Sequence, residues 1–123
     1  DNAEKGLQKA CAETGAQVQE YTAAPVFMDS NAQCRHQWLI EFAKEPESLE
    51  KFTEILDLSL QQINSDYEAK RYKNLVLKMP QIISVPKGTF YQWLKTRGKL
   101  GGQNKVPRLS NNREYIEEIL KLI

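Results

Sequence analysis

Residues 37–63 read QWLIEFAKEPESLEKFTEILDLSLQQI, and the change of period inside this stretch decides the fold class. Side chains alternate over Gln37–Ala43: Trp38, Ile40 and Phe42 point one way, and Gln37, Leu39 and Glu41 the other, which is the two-residue period of a strand. Beyond Pro46 the period lengthens. Leu49, Phe52, Leu56, Leu60 and Ile63 recur at three- or four-residue steps, with Glu50, Lys51, Glu54 and Gln61 on the far side. That is an amphipathic helix, and Glu45, Glu47 and Glu50 complement its dipole. The pattern predicts a helix opened by Pro46 that runs on through Tyr67 and Arg71 to about Tyr72. The run Lys70-Arg71-x-Lys73 then reads as a solvated helix end.

Upstream, Gln17–Phe27 predicts a second strand, with Pro25 suited to an edge. The polar stretch Met28–Arg35 makes a short connection and an antiparallel pair. Asn2–Thr14 predicts a helix stopped by Gly15. Its apolar stripe of Leu7, Ala10 and Cys11 is thin, so it is expected on the surface or against a neighbour outside the chain. Downstream, Leu75–Val85 is β-prone and broken by Pro80, giving one interrupted strand or two short ones. Pro86-Lys87-Gly88 turns into a helix in which Thr89 and Gln92 have capping-box spacing. Phe90, Trp93, Leu94 and the stem of Arg97 face inward there. Asn111 or Asn112 caps a last helix with Tyr115, Ile116, Ile119, Leu120 and Ile123 as its stripe. The sum is α+β: a small, mainly antiparallel or mixed sheet packed by helices, in one domain over residues 1–123.

Charged residues make up 27% of the 123 and net charge is +1, so no overall field draws the chain to nucleic acid or a membrane. No apolar run has the length of a membrane span and no signal peptide is present, which places the expected location in the cytoplasm. Cys11, Cys34 and the single His36 have no metal-ligand spacing, and His36 reads as a structural histidine at the head of a strand. GxxxxGK[ST], GxGxxG, HExxH and GxSxG are all absent from the sequence. Glu117 and Glu118 are adjacent on a helix and diverge. If the chain serves catalysis, it supplies one or two groups to a site built elsewhere.

One loop has the chemistry for that. Gly98 suits a helix C-terminus, Gly101 and Gly102 let backbone approach a partner closely, and Pro107 biases Val106 towards an extended conformation. Lys105 is thereby delivered on an ordered tether, as an anion such as phosphate requires. By composition alone the same residues describe a surface turn with solvated lysines, and that is the commoner case.

The segments INSDYEAKR (Ile63–Arg71), VPKGTF (Val85–Phe90), Thr96-Arg97-Gly98 and GQNKVPR (Gly102–Arg108) carry a resemblance. Gln103, Lys105, Pro107 and Arg108 fill a Q-x-K-x-P-R pattern in register, and the EYT of Glu20–Thr22 and the strand after His36 match more loosely. The chain resembles the small C-terminal domain of the auxin-responsive acyl-acid amido synthetases, the Gretchen Hagen family of acyl-adenylate-forming enzymes. The resemblance implies a large N-terminal domain, outside this chain, that binds ATP and the carboxylic acid. Asp1-Asn2 look like the end of the hinge between the two. It implies that Lys105 is catalytic, that Gln103 and Arg108 hold the loop or contact nucleotide, and that Lys99 is a reserve candidate. It further implies ATP, with Mg2+ in the full-length enzyme but not on this domain alone, and no turnover by the isolated chain. The implied partners are the N-terminal domain, a small carboxylic acid and an amine, with neither nucleic acid nor membrane.

Two other classes compete. Phe90–Arg97 and Asn112–Ile123 imitate a helix-turn-helix, but the connection is far longer than the usual turn of about three or four residues. Glu114, Glu117 and Glu118 would also repel phosphates. A protein-interaction module without a catalytic role is the remaining alternative.

Overall fold

The centre of the molecule is a strand buried on both sides. A computed structural model describes residues 2–27, 33–74, 76–97, 106, 108–110 and 112–123 of the chain. Its elements are α1 (Asn2–Thr14), β1 (Gln17–Phe27), β2 (Cys34–Lys44), α2 (Leu49–Ile63), α3 (Ser65–Arg71), a 3-10 turn (Tyr72–Asn74), β3 (Gln81–Val85), α4 (Thr89–Thr96) and α5 (Glu114–Leu120). The sheet order is β1-β2-β3. β1 and β2 are antiparallel as expected, with Pro25 on the edge strand opposite His36. β3 instead runs parallel to β2, because α2 and α3 form a crossover between them, and the sheet is mixed. Among the described residues of the stretch Leu75–Val85, only Gln81–Val85 form a strand; Leu77 adds an isolated bridge to Cys34.

The alternation in β2 separates two cores, not core from solvent. Trp38, Ile40 and Phe42 pack with Leu7, Ala10, Phe52 and Leu56 beneath α1 and α2. Leu39 packs on the opposite face with Val85, Phe90, Trp93, Ile116 and Ile119. Glu41 shares that second face and is buried; its Oε1 accepts from the backbone N of Phe90 at 3.0 Å, at the N-terminus of α4. A carboxylate there meets the free amides and positive dipole end of the helix.

Four sequence expectations are corrected. The thin stripe of α1 is not a surface feature: Ala3, Gly6, Leu7 and Ala10 are buried, and α1 lies on α2. A Cβ on Gly6 would stand 3.0 Å from Leu56 Cδ1 and 3.1 Å from Leu60 Cδ2, so small residues are what allow the helices to approach. α2 begins after Ser48, not at Pro46, with the Ser48 hydroxyl accepting from Lys51 N at 3.1 Å. The helix does not run on to Tyr72. Asn64 is extended (φ −127°, ψ 107°), ends α2, and caps α3 by accepting from Asp66 N and Tyr67 N at 3.0 and 3.1 Å. Thr89 makes no capping box; its hydroxyl donates to Pro86 O at 2.6 Å, and Gly88, at φ 91°, is the cap residue.

Candidate functional site

Lys99, Gln103 and Lys105 lie outside the described residues, as do Gly98, Gly101, Gly102 and Pro107. The residues on either side of that segment are described, and both ends are held by an arginine. Arg97 follows the last turn of α4. Its Nη1 donates to both carboxylate oxygens of Glu118 on α5, at 2.8 Å each. Trp93 Nε1 donates to the same Oε1 at 3.0 Å. The guanidinium lies 5.5 Å from the Trp93 ring centroid and 4.9 Å from that of Tyr115. The hydrogen bonds from Arg97 and then Trp93 hold the Glu118 carboxyl below its ordinary pKa, and Glu118 holds Arg97 above its own. Each partner favours the charged form of the other.

At the far end Val106 is buried in the second core. Arg108 then crosses to the outer edge of β1. Its Nη1 donates to Glu4 Oε1 at 2.9 Å and its Nε to Glu20 Oε1 at 3.1 Å, with the guanidinium 5.3 Å from the Tyr21 ring centroid. Its carbonyl accepts from Ala23 N at 2.8 Å, and Ser110 N donates to Ala23 O at 3.1 Å, a short parallel bridge. Glu20 Oε1 also accepts from Tyr21 N at 3.0 Å. Arg108 lines one end of a groove of about 520 Å³ between α1 and the start of β1. Of the four residues singled out from sequence, Arg108 alone is thus placed, and what it touches here is the protein's own carboxylates. Arg113 ties α5 to the sheet through Pro25 O at 3.2 Å and Gln37 Oε1 at 2.8 Å. Asn112 Oδ1 accepts from Glu114 N at 3.0 Å, ahead of α5.

A second cluster was missed from sequence. Arg71 is not a solvated helix end. Its Nε and Nη2 donate to the two oxygens of Asp57 at 2.8 Å each, and its Nη1 to Leu77 O at 3.1 Å. Tyr67 OH donates to Asp57 Oδ1 at 2.5 Å, and burial followed by this bond pushes the phenol pKa far up. The cluster fastens α2, α3 and the chain leading to β3. The signal was Asp57, a carboxylate directly beside the apolar stripe, but its partners lie beyond the break at Asn64.

His36 stands 6.2 Å from the Tyr67 ring, and burial with the nearby Lys70 lowers its pKa from the ordinary 6.5. The cysteines are not bonded to each other, and burial raises the Cys11 thiol, which makes it a poor nucleophile. Among the described residues no three His, Cys, Asp or Glu side chains converge as a metal site, and no helix is long and apolar enough to cross a membrane. The helix-turn-helix alternative draws no support from Arg97, whose guanidinium is paired with Glu118.

The class these observations define is a small α+β domain: a three-stranded mixed sheet between two helical layers, with an arginine paired to carboxylates on either side of residues 98–105. The profile of the "GH3 family C-terminal domain" matches residues 1–114. The chain belongs to that family, as its C-terminal domain. Two solved structures share the fold. "GH3.15 acyl acid amido synthetase" superposes with a TM-score of 0.73 at 16% identity, covering 98% of this chain and 23% of its own. "AtGH3.15 acyl acid amido synthetase in complex with 2,4-DB" gives 0.72 at 15% identity with the same coverage. The chain therefore spans about a quarter of the length of these relatives. A search among curated proteins finds no match.

Proposed function

We propose that this chain is the mobile C-terminal cap of an ATP-dependent acyl-acid amido synthetase, a cytoplasmic enzyme whose large N-terminal domain holds ATP and the acyl acid. In the first half-reaction a carboxylate oxygen attacks the α-phosphorus of ATP, forming an acyl-adenylate and releasing pyrophosphate. In the second an amine nitrogen attacks the acyl carbon, loses a proton and displaces AMP. Negative charge builds on phosphate oxygens in the first step, where a positioned cation lowers the barrier. Lys105 has that role in this reading, with Gln103 and Lys99 as nucleotide contacts. Arg108 holds the loop, the first of the two roles open to it, and Mg2+ arrives with ATP. Rotation of the cap about its hinge then opens the second half-site to the amine.

The observation that carries the reading is the family match over residues 1–114, which includes the whole loop. The test is ATP–pyrophosphate exchange in the full-length enzyme. Lys105→Ala slows exchange about 10²-fold if the lysine stabilises phosphate charge. Unchanged exchange removes Lys105 from the mechanism. Tight ATP binding by the isolated chain contradicts the division of the site.

A further inference from the structure

The groove of about 520 Å³ between α1 and the first half of β1 has walls that say what shape it takes. On the helix side Glu4, Leu7, Gln8, Cys11 and Ala12 line it, at the three- and four-residue steps of one helix face. On the other side it is lined by every residue of Ala16–Tyr21 in succession. Side chains on one face of a sheet alternate, so an unbroken run means that the groove follows the strand's edge, where backbone groups are presented. β2 occupies the inner edge of β1. On the outer edge, among the described residues, the chain pairs with itself at one point: Ala23 N donates to Arg108 O at 2.8 Å, and Ser110 N donates to Ala23 O at 3.1 Å. Nearer the groove the backbone amides end on side chains. Tyr21 N, two residues back and so on the same edge, donates to Glu20 Oε1 at 3.0 Å. Val18 gives a backbone hydrogen bond to the Cys11 side chain. The charged residues lining the groove are two carboxylates and one guanidinium, Glu4, Glu20 and Arg108, so the end beside Arg108 is net negative. Charged side chains on an edge deter indiscriminate strand pairing, and a positive partner is the one that these admit. Leu7, Cys11 and Val18 make the rest of the lining apolar. We infer that this groove docks an extended basic peptide segment of a partner protein, which adds to the outer edge of β1. Its apolar side chains lie against Leu7, Cys11 and Val18, and a lysine or arginine lies against Glu4 and Glu20. Main-chain hydrogen bonds to the edge supply affinity and the flanking side chains specificity. On docking, Tyr21 N exchanges the Glu20 carboxylate for a peptide carbonyl, and Glu20 turns to the incoming cation.

This docking is independent of any catalytic role of Lys105. The probe is a fluorescein-labelled peptide of alternating valine and threonine with a lysine at each end, so that either strand direction is served. Saturable binding to the full-length protein is expected by fluorescence anisotropy, with slowed amide exchange over Gln17–Tyr21. The same peptide N-methylated throughout keeps its charge but loses its amide donors, and is expected to bind at least about tenfold more weakly. Ala12→Trp, at an exposed position on the groove's rim, obstructs the groove and is expected to cost at least about tenfold. Glu4→Gln with Glu20→Gln is expected to cost about threefold to tenfold. The pair of substitutions also flattens the dependence of binding on salt between about 0.05 and 0.5 M. Absence of saturable binding overturns the inference outright. Equal binding of the N-methylated peptide reduces the contact to charge attraction and overturns strand addition. Binding untouched by Ala12→Trp, or protection that falls elsewhere than Gln17–Tyr21, overturns the location. Equal binding of a peptide with glutamate in place of both lysines overturns the basic partner.

Discussion

Truncating Leu56 tests the layer on which the first core depends. Leu56 is 0% exposed and faces the point where α1 comes nearest α2. Leu56→Ala removes about three buried carbon groups, about 2.4 kcal/mol of transfer free energy at ~0.8 kcal/mol each. If about 50 Å³ of the space remains open, the cavity adds roughly 1 kcal/mol at ~24 cal/mol per Å³. The expected loss is therefore about 3.5 kcal/mol, a large part of the ~5–15 kcal/mol typical of a domain. Urea unfolding followed by the fluorescence of Trp38 and Trp93 reads it as a lower midpoint at unchanged slope. A companion change sharpens the test. Gly6→Ala gains about 1 kcal/mol of helix propensity but meets Leu56 Cδ1 at 3.0 Å, and overpacking costs about 1–3 kcal/mol. Alone it is expected to destabilise. In the Leu56→Ala background the tightest contact is gone, and the same substitution shifts towards stabilisation, with a coupling of about 1 kcal/mol. A Leu56→Ala cost below about 1 kcal/mol, or strict additivity of the pair, refutes the close approach of α1 and α2.

Asp57→Ala leaves the Arg71 guanidinium without its carboxylate partner in a nearly buried site, and a loss of about 3–5 kcal/mol is expected by the same urea assay. Glu41→Ala strips the side-chain acceptor from Phe90 N and is expected to cost about 0.5–2 kcal/mol, with Glu41→Gln costing less. His36 has its pKa lowered on folding, so the unfolded chain binds the proton more readily; stability is full above the ordinary 6.5 and falls as pH drops below it towards the folded value. His36→Gln is expected to flatten the fall between pH 7.5 and 5 in paired urea titrations at those pH values; a slope identical to wild type shows that His36 is not its source.

Much of the fold is legible because periodicity is a local signal. Asn2–Thr14, Gln17–Phe27 and the stripe Phe52, Leu56 and Leu60 are where the pattern predicts them. What was not legible depends on partners distant in sequence. An apolar run such as Gln81–Val85 does not say whether its neighbour runs with it or against it. Asn64 did carry a signal, since Asn followed by Ser65 and Asp66 is good N-cap chemistry, but an unbroken helical period on both sides concealed it. The carboxylates were the larger omission. Glu41, Asp57 and Glu118 look like solvated charges in a list of residues, whereas each is claimed by a donor elsewhere. Arg108 and Glu4 are separated by 104 positions, and no spacing rule reaches that far. Lys105 and its motif neighbours lie outside the described residues, and the carboxylates paired with the arginines on either side of them were not legible.

The placement of those arginines has a consequence for motion. Arg97 and Glu118 belong to the layer of α4 and α5 on one face of the sheet. Arg108 stacks on Tyr21, which packs with Trp38 in the core on the other face, and Val106 is seated in the core under α4 and α5. The described residues on either side of 98–105 therefore join both helical layers and the edge strand between them. A shift of either layer against the sheet would change the spacing of the two arginines and meet resistance from two close-packed cores. A swing of the whole domain about a hinge changes neither. In the cap reading proposed above, a swing of the domain would therefore carry the described residues on either side of 98–105 as one body.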